Sequence, residues 1–312
     1  MVKSITLALL AVLGWSSVAL AEVPRVVASV KPIHALVSAV MGDLGTPALI
    51  VGGAASPHTY SLKPSDAQAL QAADLVFWTG HGLELFLEDS IATLAPRATV
   101  VELGDVTGLT LLPPRQGGTF EPHAADPAEQ GADHAHDHGE ERHDMHFFLD
   151  PANARVMVAA IAESLAAADP EHADAYRANA AAESADLDAL IAETAARLAP
   201  VRDRPFVVFH DAYQYFEKRF GLAVAGSVTV SPEIAPGADR IKAIRDRLRT
   251  LGAACVFSEP QFDPRVIDVL VEGTSAKHGV LDPEGATLEE GPGLYRQLIG
   301  NLATSLVDCL GG

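Results

Sequence analysis

Short apolar runs, many of them β-branched, alternate along the chain with stretches of helical periodicity. Such runs, bounded by turn residues, predict buried strands, and their regular alternation with helices is typical of a parallel sheet covered by helices. The predicted strands are residues 26–30, 48–51, 75–79 and 99–103 in the first half of the chain, and 206–209, 255–258 and a short strand ending at Leu281 in the second half.

Helix boundaries are predicted from residues that are favoured at the ends of helices. A helix is predicted to begin at Pro64 and to end near Ala73, because proline suits a first helical turn. Asp150 followed by Pro151 marks the start of an alanine-rich helix that extends to about Ala168. In the second half, helices are predicted at residues 212–220 and 264–272.

One predicted helix is unusually long. Residues 171–198 keep helical periodicity without a glycine or proline, which is a length uncommon inside one lobe. We therefore predict an α/β protein of two lobes, each a mainly parallel sheet flanked by helices, joined by one long helix. The predicted boundaries are 22–170 for the first lobe, 171–199 for the linking helix and 200–312 for the second lobe.

The first 21 residues have the pattern of a secretory signal peptide. Lys3 provides a positive start, residues 5–12 are apolar, and Ala19-Leu20-Ala21 forms a small-residue cleavage site. The mature chain is expected to begin at Glu22. Because this residue is not a cysteine, no lipid anchor is expected, and we predict a free periplasmic protein.

Length and charge limit the class of partner. The chain has 312 residues, enough for two domains after removal of the signal peptide. Its formal net charge of −19 argues against nucleic acid, which needs a basic surface, whereas metal cations suit an acidic one. The charge has an alternative interpretation, that it only keeps an exported protein soluble.

The two cysteines, Cys255 and Cys309, are an even pair in a protein predicted to be exported. In an oxidising compartment such a pair indicates first a disulfide. The alternative is that their two thiolates ligate zinc.

A tract at residues 113–144 differs in composition from the rest of the chain. It combines clustered histidines with eight acidic residues and two arginines, so it cannot bury a core, and we expect it to be disordered or mobile. This composition is typical of metal binding, and the alternative is a solvated charge run. The tract histidines are His123, His134, His136, His138 and His143.

Four further residues lie beside predicted strands and form a candidate metal site. His58, His210 and Asp282 each follow a strand, and His146 begins the segment His-Phe-Phe-Leu-Asp. Ligands of open parallel sheets bind at the carboxyl ends of the strands, where three of these residues are expected. Three imidazoles and one carboxylate suit tetrahedral Zn²⁺. A single histidine is, however, more often structural, and an aspartate in this context is more often a helix cap.

At five segments the sequence resembles the zinc-specific, ZnuA-type solute-binding proteins of ABC transporters. The segments that carry the resemblance are residues 52–66, 144–151, 208–217, 257–262 and 281–285. The resemblance implies that His58, His146 and His210 bind the metal, with a fourth position taken by Asp282, water or a nearby carboxylate. Many zinc members have Leu or Ile where this chain has Glu284. The resemblance also implies zinc rather than manganese, because related manganese receptors carry a carboxylate in place of His210.

The resemblance implies that the protein captures Zn²⁺ between its lobes and delivers it to an inner-membrane ABC permease. We expect the protein to be a monomer and not an enzyme. A zinc hydrolase is the main alternative, but it needs an open coordination position and a general base, and the sequence has no His-Glu-x-x-His motif. A surface adhesin is a third possibility. Glu259 is a candidate hydrogen-bond partner for a ligand histidine or else a helix cap. His81, with Glu84, is a candidate for the wall of the cleft or else a surface residue.

Overall fold

The computed structural model describes residues 23–115, 143–229, 232, 236–252 and 254–311. The predicted signal peptide lies outside these residues. So do four of the tract histidines, whose predicted metal binding is therefore not tested: His123, His134, His136 and His138.

The first lobe contains a four-stranded parallel sheet of β1 (Val26–Val30), β2 (Ala48–Val51), β3 (Leu75–Trp78) and β4 (Thr99–Glu102). The strand order is β2-β1-β3-β4. Helices α1 (Lys31–Met41), α2 (Pro64–Ala72) and α3 (Glu88–Leu94) connect the strands. The central strands β1 and β3 are buried along their whole length, which explains their continuous apolar sequence.

Two long helices link this sheet to the second lobe. Helix α4 spans Pro151–Ala168, and the Asp150 carboxylate caps it by accepting a hydrogen bond from the Ala152 amide. Helix α5 spans Ala173–Leu198 and packs along α4. The long helix predicted between the lobes is therefore present.

The second sheet, also parallel, contains β5 (Phe206–Val208), β6 (Val224–Ser227), β7 (Cys255–Ser258) and β8 (Lys277–Val280). Its order, β6-β5-β7-β8, repeats that of the first sheet. The surrounding helices are α6 (Gln214–Phe220), α7 (Ala238–Leu251), α8 (Arg265–Val271) and α9 (Leu294–Leu310). The predicted fold class is confirmed.

The apolar core is continuous through both lobes. One cluster of buried side chains includes Val27 of β1, Phe206 of β5 and Leu298 of α9. Helix α9 packs against α1, α5 and β8, and a disulfide between Cys255 and Cys309 joins it to β7. Within the described ranges, every helix is too short or too polar to cross a membrane.

Candidate metal site

Three histidine side chains converge at the cleft between the lobes. The Nε2 atom of His146 lies 3.4 Å from Nε2 of His58 and 3.4 Å from Nε2 of His210. A zinc ion with Zn–N bonds of about 2.0–2.1 Å and tetrahedral angles holds two ligand nitrogens about 3.3–3.4 Å apart. The spacing of these imidazoles therefore fits one zinc ion between them.

Loops from both lobes carry these histidines. His58 lies in the loop between β2 and α2, after Gly53, whose φ of 67° turns the chain at a conformation that favours glycine. His146 precedes a short 3₁₀ turn ahead of α4. His210 follows β5, at the carboxyl end of the second sheet. The first lobe thus supplies two imidazoles and the second lobe supplies one.

Carboxylates orient two of the three rings. His146 Nδ1 donates to Asp144 Oδ1 at 2.8 Å, and His210 Nδ1 donates to Glu259 Oε2 at 2.7 Å. When Nδ1 carries the proton, the lone pair of Nε2 can bind a metal ion. Glu259 thus lies where a tautomer-fixing partner was predicted. The role of Asp144 as the partner of His146 was not predicted. The available signal was its position two residues before His146 in the sequence.

Both carboxylates are themselves held in place. Tyr213 OH donates to Glu259 at 3.1 Å, and Gln214 Nε2 donates to Asp144 at 3.3 Å. Tyr215 OH also donates to the Asp144 main-chain carbonyl at 2.6 Å. Residues at the start of α6 therefore fix the partners of both rings, which preorganises the site.

Burial and charge shift the pKa values of these groups. Burial raises the pKa of Glu259 to about 8, although hydrogen bonds from Tyr213 and from the His210 amide lower it. For His146, burial opposes protonation, but the hydrogen bond and the negative charge of Asp144 outweigh it, so the pKa lies above its ordinary value. A proton therefore competes with a metal ion for His146.

The histidines line a small pocket at the cleft. Its other lining residues are Ser56, Pro57, Glu259, Gln261, Phe262, Pro283 and Glu284. Among the described residues, the group of possible ligands within 4.8 Å of one another consists of His58, His146 and His210.

Asp282, predicted as a possible fourth ligand, points into its own loop. Its carboxylate accepts hydrogen bonds from three backbone amides and from Gln261 Nε2. Direct binding of the metal ion by Asp282 stays a prediction.

The remaining predicted site residues lie away from the histidine cluster. His81 is half-exposed and pairs with Glu88 at 3.1 Å, whereas Glu84 is buried and accepts hydrogen bonds from Ser29 and Thr79. Neither residue lines the cavity. His143 is half-buried and does not belong to the cluster, so a role in the auxiliary tract stays a prediction.

Comparison with known proteins identifies close relatives. The family model described as zinc-uptake complex component A, periplasmic (ZnuA), matches residues 26–309. The high-affinity zinc uptake system protein ZnuA of Brucella abortus is 53% identical over 307 residues, which cover 91% of each chain. A crystal structure of ZnuA resembles this fold with a TM-score of 0.73 at 24% identity, over 91% of this chain and 99% of that one. The laminin-binding protein Lmb of Streptococcus agalactiae, described as a bifunctional protein with adhesin and metal transporting activity, gives a TM-score of 0.72 at 27% identity, with coverage of 91% and 99%.

Proposed function

Because the chain belongs to the ZnuA family of zinc-uptake proteins, we propose that it binds Zn²⁺ in the cleft between its lobes and delivers the ion to the permease of an ABC transporter. The observation that carries this proposal is the 3.4 Å spacing of the imidazole nitrogens, which matches one edge of a zinc coordination tetrahedron. Zinc is therefore the cargo of the protein, held by His58, His146 and His210.

The chemistry of the donor atoms supports zinc over manganese. Imidazole nitrogens suit Zn²⁺, whereas Mn²⁺ favours carboxylate, carbonyl and water oxygens. Two carboxylates beside the histidines, Asp144 and Glu259, accept hydrogen bonds from histidine Nδ1 atoms. A metal ion at the three Nε2 atoms accordingly meets a nitrogen-rich shell.

The same hydrogen bonds favour a binding protein over a hydrolase. A zinc hydrolase needs a general base beside the metal-bound water. Glu259 is engaged with His210, Tyr213 and the His210 amide, so it orients a ligand and is not free to act as a base. Capture and release of the ion, without chemistry, is the function that fits this arrangement.

Location and assembly form part of the proposal. Residues 1–21 would direct export, and the mature chain would act as a monomer in the periplasm. The tract at residues 113–144 would gather zinc through its clustered histidines and acidic residues, at sites weaker than the cleft. The permease would accept the ion from the cleft.

The test is calorimetric titration of zinc into a background variant in which His123, His134, His136 and His138 are replaced by Asn. We expect one tight site per chain, and His210→Ala should weaken it by more than about a hundredfold, because the remaining shell must recruit water. His278→Ala is the matched control, since this exposed histidine lies on β8 outside the cluster. Equal zinc affinity in the His210→Ala and background proteins would overturn the proposal.

A further inference from the structure

We propose that helix α6 positions His146 as well as His210, so that these two histidines act as one rigid pair, and His58 joins the zinc ion last and leaves it first. The inference rests on the proposed function, because it concerns how the same ion is taken up and released. By its place in the chain His146 belongs to the first lobe, whereas its surroundings assign it to the second. Tyr215 of α6 is the residue that positions it.

The segment of residues 144–150, which carries the second histidine ligand, is held at both ends by α6. At its start, Tyr215 OH donates to the main-chain carbonyl of Asp144 at 2.6 Å. At its end, the Arg219 guanidinium donates to both carboxylate oxygens of Asp150, each at 2.7 Å. A bidentate pair of this kind fixes geometry as well as contributing energy.

The middle of this segment is also bound to the second lobe. Helix α6 packs against the short 3₁₀ turn Phe147–Leu149. Tyr295 OH on α9 donates to the main-chain carbonyl of Phe148 at 2.6 Å. Because these partners all lie on helices of the second lobe, we expect His146 to keep its place relative to α6 when the lobes shift.

The chain that precedes the tract is attached to the same helix. The amide of Leu112 donates to Tyr215 OH at 2.9 Å. Arg115 forms ion pairs with Asp211 and with Glu217 of α6. Tyr215 therefore contacts the chain on both sides of the tract, and α6 is the common attachment point.

The same helix acts on the other member of the pair. Tyr213, at the N-terminus of α6, donates to Glu259, and Glu259 accepts from Nδ1 of His210. Asp144 accepts from Nδ1 of His146 in the corresponding way. Both rings are thus oriented by carboxylates that residues at the start of α6 hold, with their Nε2 atoms 3.4 Å apart.

His58 differs in its attachment and in its exposure. The hydrogen bonds of its loop lie within the first lobe: Tyr60 OH donates to Asp66 at 2.8 Å, and the Tyr60 ring packs on Phe86 with centroids 5.1 Å apart. His58 is half-buried, whereas the other two ligand histidines are buried. A partly exposed side chain changes rotamer more readily than one in a close-packed interior.

These differences set an order of events. An entering ion meets two aligned imidazoles that need no rearrangement, and His58 then completes the set of histidine ligands. Release follows the reverse order, because the forward and backward paths share the same intermediate. Once His58 has left, the coordination shell is open and an incoming ligand can enter it. Release therefore requires movement of one loop of the first lobe.

The experiment measures zinc association and dissociation by stopped flow in the variant with Asn at the four tract histidines. His58→Ala should raise the dissociation rate by more than about tenfold and leave the association rate within about threefold, because the pair that meets the ion first is intact. His146→Ala should also lower the association rate, because it removes one member of that pair.

Tyr215→Phe tests the positioning role, since phenylalanine keeps the ring and removes only the hydroxyl. It should slow association several-fold in the starting variant and in His58→Ala, but not in His146→Ala, where no ring remains for it to position. Tyr176→Phe is the matched control. Tyr176 is equally buried and its hydroxyl donates to Asp169 at 2.9 Å, away from the site, so association should not change.

Two results would overturn the inference. The first is an equal effect of Tyr215→Phe in His58→Ala and in His146→Ala, which is what a purely structural role would give. The second is zinc uptake that His58→Ala slows as much as His146→Ala does. In either case zinc binding by the three histidines would stand.

Gln214→Leu provides a second variant should Tyr215→Phe not fold. Gln214 is half-buried, and its Nε2 donates to the Asp144 carboxylate at 3.3 Å, so its loss should slow association in the same pattern across the two histidine variants. An equal effect in both would again overturn the inference. Failure of the proposed function would instead appear as zinc binding that His210→Ala does not weaken.

Discussion

Lys31 Nζ, at the start of α1 in the first lobe, donates a hydrogen bond of 2.8 Å to the main-chain carbonyl of Gly285 in the second lobe. The same ammonium group donates to the carbonyls of Leu288 at 2.9 Å and Ala286 at 3.3 Å. Lys31 is only 3% exposed, so these carbonyls replace the water that the cation loses. One side chain thereby holds the loop that Asp282 folds.

Lys31→Met should loosen this loop. Methionine fills similar space but cannot donate, so we expect the free energy of unfolding to fall by about 2 kcal/mol, the scale of hydrogen bonds to a charged group. Zinc release to a chelator should become faster, because the loop borders the cavity. Urea unfolding and stopped-flow release measure the two effects. Lys242→Met, at an exposed position of α7, is the control, and equal release rates in both variants would contradict the role of Lys31.

Asp144→Leu should weaken zinc binding by about ten- to a hundredfold, which is the usual effect of removing a partner that orients a metal-bound histidine. The cause is loss of the acceptor for His146 Nδ1, so the ring no longer prefers the tautomer with a free Nε2. Titration against a competing chelator gives the affinity. Asp43→Leu, at an exposed position, should bind zinc as the unsubstituted protein does. If both variants behaved alike, Asp144 would not orient His146.

Zinc affinity should fall as the pH decreases, and the fall should begin above the ordinary histidine pKa of about 6.5. The reason is that the pKa of His146 is raised, so the proton must be displaced by zinc at every pH below that raised value. Above it the imidazole is neutral and the affinity should be constant. Asp144→Asn removes the charge that raises the pKa and should move the onset to lower pH. Affinities measured from about pH 8 to about pH 5.5 test this, and a flat profile would argue against histidine ligation.

Replacing both Cys255 and Cys309 by serine should lower the free energy of unfolding by about 4 kcal/mol, from the chain-entropy cost of a loop of this length. The two residues are 54 apart in sequence. Zinc affinity should stay unchanged, because neither sulfur lines the histidine cavity. Denaturant unfolding with and without a reductant measures the effect on the unsubstituted protein, and equal stability in both conditions would contradict it.

Asparagine at His123, His134, His136 and His138 should remove weakly bound zinc and retain one tight ion. The carboxylates Asp144 and Glu259 orient two of the cleft ligands, so we expect the cleft to bind zinc more tightly than the clustered histidines of the tract do. Competition with chelators of graded affinity separates the two classes. Loss of the tightest ion in this variant would mean that the tract supplies a primary ligand.

The sequence predicted most of the fold but not every element. Helices α1, α3 and α9 were not predicted individually. Strand β6 and helix α7 were not predicted either, and both have weak local signals. Strand β6 reads Val-Ala-Gly-Ser, with one β-branched residue and a glycine. Helix α7 is strongly charged and buries few side chains, among them Ile244 and Leu248. Their structure depends on neighbouring elements, which override weak intrinsic preference.

Site residues that directly follow a strand could be predicted from the sequence. Contacts between loops that are distant in the sequence could not. His210 could be placed because parallel strands bring their carboxyl ends to one edge. The presence of Gln261 in the pocket gave no signal, because its side chain bonds to Asp282, which lies 21 residues further along the chain. The contact from Lys31 to Gly285 spans 254 residues and leaves no periodic pattern. Hydrophobic periodicity indicates which side of a helix or strand is buried. It does not indicate which distant loop packs against that element.

Helix α9 has a consequence for the order in which the protein assembles. It packs against α1 and α5, and Tyr295 OH on α9 donates to the carbonyl of Phe148, three residues before α4. The packing of α9 on α1 joins segments near opposite ends of the described chain. Contacts of such long sequence separation form slowly, because a long loop must close before they stabilise anything. We therefore expect the packing of α1 to be completed only when α9 docks on it. We expect this last docking step to complete the molecule before it takes up its first ion.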